Sequence, residues 1–264
     1  MTSGLLAEGE ASPVERIDGT GGAYVFVCEH ASNRLPASLG DLGLPAEALR
    51  AHIAWDPGAA AMTRRLAAHF SGDAVLQRYS RLVVDCNRDP DRPDAISTLS
   101  ETTPIPGNAG LSEAARAARI AGCWTPFHAA VEALVTGRLE AGRPTALVTV
   151  HSFTPVFRGV ARPWHVGLIT TEDRRLADPM RVALAADPAL VVGDNEPYSA
   201  KDHVDYTIRR HGLLRGIPHV MIEVRNDLVA DAAGVEAWAD RLARAIEVFV
   251  MPEAAMQNRS ERHA

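Results

Sequence analysis

The feature that most constrains the fold is a repeated alternation. Short, almost wholly apolar runs alternate with segments whose apolar residues recur at 3–4-residue intervals. Tyr24–Cys28 (YVFVC), Thr145–Val150 (TALVTV), His165–Thr170 and His219–Glu223 (HVMIE) read as strands, and Val83-Val84 sits inside a further strand candidate, RLVV. Between and after them, Trp55, Ala59, Met62, Leu66 and Phe70 fall on one helical face. So do Ile120, Trp124, Phe127, Val131 and Leu134 within a long helix predicted from about 112 to 136. Val235, Trp238, Leu242, Ile246 and Phe249 mark a final helix, with shorter ones predicted over Arg174–Ala186 and Val204–His211. Strands that read as continuous apolar runs belong to a sheet covered on both faces. The expected class is therefore α/β: a three-layer α/β/α sandwich around a mostly parallel sheet.

No internal repeat and no break in composition divides the chain. The reading is one domain over residues 21–250, flanked by polar tails at 1–20 and 251–264. The stretch 89–110, rich in Pro, Asp, Thr and Gly, exceeds a typical connection and is either mobile or functional. Gly193-Asp194-Asn195-Glu196-Pro197-Tyr198 reads as a turn.

Each strong strand candidate stops in residues capable of chemistry. YVFVC runs into Glu29-His30, LVTV into His151-Ser152 and HVMI into Glu223, while RLVV gives way to Asp85, Asn87 and Arg88. Open α/β sheets bind ligands beyond the carboxyl ends of their strands, so these groups are expected on one rim. Two histidines and a carboxylate suit a zinc site that keeps a position for water. Asp56 is the candidate third ligand, its alternative being an acid in the first turn of a helix. Glu29 is the reserve ligand, and its alternative is a carboxylate at the surface or one that supports the ligands. Glu223 fits a general base, or else a buried ion pair with a nearby arginine. Asn87 and Arg88 suit the binding of a substrate carboxylate, with Arg81 and Arg162 able to join the anion site. Asn195 and His211 are candidate pocket residues, or alternatively a turn residue and a helix end.

Composition excludes several other readings. The formal net charge of −6 and the 5% aromatic content argue against a nucleic-acid binder. No apolar run is long enough to span a bilayer. The three scattered cysteines fit neither a disulfide framework nor a zinc knuckle, and the N-terminus lacks a basic leader and an apolar signal core, so a reducing cytoplasm is the expected location. Dinucleotide and P-loop glycine motifs, GxSxG, HExxH and CxxC are all absent. A serine-hydrolase reading of His151-Ser152 lacks the glycines of a nucleophile turn.

Taken together, the blocks resemble the N-formylglutamate amidohydrolase family. The resemblance lies in Val27–Pro36 (VCEHASNRLP), His52–Ala59 (HIAWDPGA), Val84–Arg88 (VDCNR), His151–Pro155 (HSFTP), Gly193–Tyr198 (GDNEPY) and Ile222–Arg225 (IEVR), and extends over roughly residues 23–250. It implies a phosphorylase/hydrolase-like fold similar to zinc-dependent exopeptidases. The implied activity is hydrolysis of N-formyl-L-glutamate to formate and glutamate, the last step of one route of histidine breakdown. It also implies His30 and His151 as Zn2+ ligands, Glu223 as general base and Asn87-Arg88 as the pair that holds a carboxylate. The exopeptidases carry a glutamate three residues after the first histidine. Here that position is Asn33, which turns the expectation to Asp56. Family members that fit the histidine-degradation role resemble one another in a proline before the first histidine, where this chain has Glu29. Another small carboxylate-bearing N-acyl amino acid is therefore an open alternative, as is a non-catalytic anion-binding protein on the same fold. The oligomeric state is not legible.

Overall fold

Every residue of Tyr24–Cys28 is buried, and its side chains divide by parity between two cores. Tyr24, Phe26 and Cys28 point to one face and Val25 and Val27 to the other, as strand pleating requires. This division builds the three layers of the computed structural model, which describes residues 4–199 and 205–251. The strands are β1 (Val14–Ile17), β2 (Tyr24–Cys28), β3 (Asp73–Gln77), β4 (Leu99–Ser100), β5 (Thr103–Pro104), β6 (Ala146–Phe153), β7 (Val156–Phe157), β8 (Val160–Ala161), β9 (Val166–Ile169), β10 (Val192–Asp194) and β11 (His219–Arg225). The helices are α1 (Ala46–Arg50), α2 (Ala59–His69), α3 (Glu113–Arg119), α4 (Thr125–Glu140), α5 (Ala177–Ala185) and α6 (Ala232–Glu247).

The main sheet has the order β1-β3-β2-β6-β11-β9-β10. β2, β3, β6 and β11 run parallel, as do β9 and β10, whereas β1 against β3 and β9 against β11 are antiparallel. Helices α2, α5 and α6 cover one face through Leu66, Met180, Leu184, Trp238, Leu242 and Ile246. Helix α4 covers the other through Phe127, Val131, Leu134 and Val135. Each fully buried aliphatic or aromatic side chain in these layers contributes about 1.5–3 kcal/mol.

Several elements differ from the sequence reading. The RLVV run is not a strand. Arg81–Val83 form a turn, and Val83 and Val84 are buried among loop and helix residues such as Tyr79, Ile96 and Cys123. The strand beside β2, on the side away from β6, is β3, whose apolar centre is bounded by Asp73 and Gln77. Arg138 donates to Asp73 at 2.5 Å, which allows that acid to be buried. Strand β1 lies within the stretch read as a tail. The first amphipathic helix begins at Ala59, after Gly58 (φ 80°), so Trp55 and Asp56 precede it. A Cβ at residue 58 would stand 2.6 Å from Val229 Cγ2, so this left-handed position requires glycine. The long helix extends to Glu140 and contains a π-helical segment, Ile120–Trp124. Gly193 and Asp194 belong to the edge strand β10, and the turn follows it. Val204 and residues 252–264 lie outside the described residues, and Ile208–Gly212 is a π-helical turn.

Candidate metal centre and active site

Strand parity and register bring the chemistry together. Val148 and Val150 of β6 and Val220 and Ile222 of β11 face the α2/α6 core, so His151 and Glu223 face the opposite side. They are direct partners in the parallel β6–β11 register. His30 follows β2, the neighbour of β6 on its other side. Its carbonyl accepts from the Asp56 backbone N–H at 3.0 Å, which anchors the loop before α2 beside it. Ser152 secures the same loop, its backbone N–H donating to Asp56 Oδ2 at 3.3 Å and its hydroxyl to the Pro57 carbonyl at 2.7 Å. The Ser152 hydroxyl is thus a tether.

Three donor atoms converge here. Asp56 Oδ2 lies 3.2 Å from His30 Nδ1 and 2.9 Å from His151 Nδ1, and the two Nδ1 atoms are 3.2 Å apart. Possible ligand atoms of all three residues fall within 4.8 Å of one another, and all three residues are buried. The far nitrogen of each ring meets a second carboxylate. His30 Nε2 is 2.7 Å from Asp85 Oδ1, and His151 Nε2 is 3.0 Å from Glu29 Oε2, the latter an ion contact without hydrogen-bond alignment. Imidazoles that bind metal are commonly held this way, with the second nitrogen on a carboxylate.

The electrostatics follow from these contacts. Burial disfavours a charged His151, but Glu29 and Asp56 outweigh it and hold its pKa well above the usual range. Burial and Arg81 likewise oppose charge on His30, and Asp85 and Asp56 raise it nonetheless. Burial would raise the Asp56 and Asp85 carboxyls. The histidines depress Asp56, and Arg81 and His30 depress Asp85. Glu223 is the contrast. Burial pushes its carboxyl up to about 7, with Asp56 adding and His151 opposing. Its Oε2 is buried without a hydrogen-bond partner.

A cavity of about 230 Å³ opens onto this cluster, lined at its buried end by His30, Asp56, His151 and Glu223. Arg81, Asn87 and Arg88 line its side. Ser97, Leu99, Ser100 and Glu101, from the segment 89–110, line its more exposed end. That segment is ordered around the β4–β5 hairpin and forms part of the site wall. Two imidazoles, a carboxylate and an adjacent carboxyl in a solvent-reachable cavity are a hydrolytic metal centre's donor set.

Residues 22–230 match the N-formylglutamate amidohydrolase family, FGase. The chain belongs to that family. Its site is that of a metal-dependent hydrolase. A gene product of Agrobacterium tumefaciens is 43% identical, with 92% of this chain and 96% of that one aligned at a TM-score of 0.89. The N-formylglutamate amidohydrolase from Ralstonia eutropha JMP134 is 19% identical over 89% of this chain and 96% of its own, at a TM-score of 0.62, a likeness of fold. No curated protein matches the chain.

Within this FGase-family site, the remaining sequence candidates divide. Glu29 is fully buried behind His151 and does not line the cavity. Arg81 lines the cavity with its charge already engaged by Asp85 Oδ2 (2.5 Å) and Asp56 Oδ1 (3.5 Å). Asn87 locks the loop, its Oδ1 accepting from the Thr207 N–H at 3.2 Å and its Nδ2 facing Met221 Sδ at 3.4 Å. Arg88 is held more loosely, 3.5 Å from Asp94 Oδ2 and 3.4 Å from the Asn87 carbonyl.

Arg162, Asn195 and His211 are not brought into the cavity lining. Arg162 lies over the Phe157 ring (4.4 Å) and donates to the Tyr198 hydroxyl at 3.2 Å, so it reaches the site through its neighbours. Asn195 pins the turn after β10, its Oδ1 accepting from the Thr170 N–H. His211 is buried against His128, with His211 Nε2 and His128 Nδ1 3.0 Å apart, and burial pushes its pKa down to about 3.

Tyr198 and the His52–Glu101 pair line the cavity and were not singled out from the sequence. Tyr198 is the one aromatic side chain in its turn block, a usable signal. Its position depends on Gly167, where a Cβ would fall 1.8 Å from the Glu196 carbonyl oxygen. Gly167 pairs with Glu223 across the β9–β11 register, so its missing side chain lets the turn close against the sheet there.

Proposed function

We propose that this chain hydrolyses the amide bond of N-formyl-L-glutamate or a related N-acyl amino acid, releasing formate or another acid and the free amino acid. The observation that carries this reading is the meeting of His30 Nδ1, His151 Nδ1 and Asp56 Oδ2 in a cavity wall beside an unpartnered Glu223 oxygen. Zn2+ fits this donor set, with His30, Asp56 and His151 as its holders and Asp85 and Glu29 orienting the imidazoles. When bound, such a cation polarises an acyl oxygen and makes water more acidic.

The chain's own residues supply the rest. Arg88 takes the substrate carboxylate with its guanidinium fork, which fixes the acyl group beside Glu223. Glu223, as carboxylate, removes one proton from the attacking water while the water oxygen bonds to the acyl carbon. It then gives that proton to the amide nitrogen as the C–N bond breaks, leaving the amine and the acid. A carboxyl near 7 is matched to both transfers at neutral pH. With such a cation bound, His30 and His151 would hold it as neutral imidazoles, with Asp85 and Glu29 beside their far nitrogens.

The test combines metal analysis of purified protein with release assays on N-formyl, N-acetyl and N-carbamoyl amino acids. About one zinc per chain with turnover of at least one substrate is expected. Stoichiometric metal without turnover across the panel would replace this reading by an anion-binding protein on the same fold. Arg88→Ala is expected to raise KM about 10–100-fold for carboxylate substrates, through loss of a charge-assisted bidentate contact. Neutral N-acyl amides should change little. An equal loss on both would assign Arg88 to folding instead.

A further inference from the structure

One wall of the cavity holds an aromatic hydroxyl that the steps above leave unused. Tyr198 lines the cavity from the turn after β10, and that turn is tightly built. A Cβ at Gly193 would stand 2.6 Å from the Glu196 carbonyl oxygen, the same atom that Gly167 leaves room for. Asn195, at φ 54°, donates its N–H to the Leu168 carbonyl at 3.0 Å and its Nδ2 to the Thr170 hydroxyl at 3.1 Å. Beside the Tyr198 ring stands Arg162, buried and, among the described residues, without a carboxylate partner. Its guanidinium lies over the rings of Phe157 (4.4 Å), Tyr198 (4.8 Å) and Phe153 (5.8 Å), and its Nη1 donates to the Tyr198 hydroxyl at 3.2 Å. The phenolic oxygen is thus the acceptor toward Arg162, which turns its own proton away from that residue. Among the described residues that proton has no acceptor. Burial raises the hydroxyl's pKa and Glu223 adds to the rise, while Arg162 and Arg81 oppose it. The group therefore stays protonated at neutral pH, near enough to Glu223 to feel its charge.

From this arrangement, and resting on the amide-hydrolase reading above, we infer that Tyr198 is a further catalytic residue, whose hydroxyl donates a hydrogen bond to the acyl oxygen as negative charge develops there, and that Arg162 is the positioning residue that aims and polarises it. As the water oxygen bonds to the acyl carbon, the carbonyl π pair moves onto the acyl oxygen. Tyr198 stabilises that charge without giving up its proton, so Glu223 alone carries the proton from water to the amide nitrogen. A neutral phenol suits a charge that exists only along the reaction path, since it binds the ground-state amide weakly. Arg162 strengthens the donor from behind, and its own charge is spread over aromatic faces rather than presented to the substrate.

The test compares zinc-loaded wild type and Tyr198→Phe, which keeps the ring and its packing, on each N-acyl amino acid that the wild type hydrolyses. kcat is expected to fall about 10²-fold on every one, the scale of a single oxyanion donor, with KM nearly unchanged. An unaltered kcat overturns the inference, as does a rise in KM alone, which would assign the hydroxyl to holding a substrate carboxylate. Arg162→Gln should lower kcat about tenfold, the scale of one hydrogen bond from a charged donor, and should add no further loss to Tyr198→Phe. Arg162→Lys, which retains a charge and a donor, should recover part of the rate and serves if the Gln variant does not fold. Losses that multiply in the double variant would overturn the positioning role, because Arg162 would then act by a route other than Tyr198. Failure of the wild type to hydrolyse any member of the panel would instead remove the amide-hydrolase reading.

Discussion

Glu223→Gln is expected to lower kcat about 10²–10⁴-fold, the usual contribution of a positioned general base. Zinc content should remain at the wild-type level, because His30, Asp56 and His151 are untouched. The exchange keeps size and shape and removes only the ability to take a proton. Stability should move the other way. The carboxyl stands near 7 in the folded chain against 4.5 for an ordinary glutamate. Between those values the unfolded chain has released a proton that the folded chain retains. Folding stability from this group is therefore undiminished below about 4.5 and declines as pH rises toward 7. Gln carries no such penalty. The metal-free variant should match the metal-free wild type near pH 4.5 and exceed it near pH 7.5 in thermal midpoint. Turnover retained in the variant would exclude Glu223 as the base, and loss of zinc would show that it acts on the metal site instead.

The sheet and its functional rim were legible because both depend on short-range pattern. All-apolar runs such as YVFVC and ALVTV mark strands buried on both faces; β2 ends before Glu29-His30 as the sequence suggests, whereas β6 runs on through His151 to Phe153 and β11 through Glu223 to Arg225. His151 and Glu223 extend their strands in alternation with core valines and isoleucine, so parity alone directs both to one face. What escaped was set by tertiary compensation. Asp73 and Gln77 made β3 look too polar for a central strand, since Arg138 lies far along the chain. Conversely, Leu82, Val83 and Val84 had the composition of a strand but are buried under loops, where no sheet periodicity is required. Asp85 nevertheless reached the rim by a turn. The outer end of the cavity was the least legible part. Glu101 reaches the cavity wall from a two-residue turn and a left-handed backbone, and neither leaves an amphipathic trace.

Removing Asp56 and removing Asp85 should weaken the metal site by different amounts for different reasons. Asp56 offers the oxygen at which both Nδ1 atoms meet. Asp56→Ala is therefore expected to abolish stoichiometric zinc, and hydrolysis with it, in protein purified and reloaded under the wild-type conditions. Asp85 meets the far side of the His30 ring, and its other oxygen holds Arg81 at 2.5 Å. Asp85→Asn keeps an acceptor there but loses the charge, and an orienting partner of this kind is worth about 10–100-fold in metal affinity. Proton competition separates the two cases. His30 and His151 are held above the usual histidine range, and zinc requires both in neutral form, so wild-type affinity should fall as pH is lowered. Asp85 is one of the charges that raises His30. Its replacement should bring that histidine down and make the fall of affinity with pH shallower, even as affinity at neutral pH drops. Zinc competition with a chromophoric chelator across pH 6–8 measures both quantities. An Asp85→Asn protein with wild-type affinity and an unchanged pH slope would mean that the carboxylate behind His30 does not orient it.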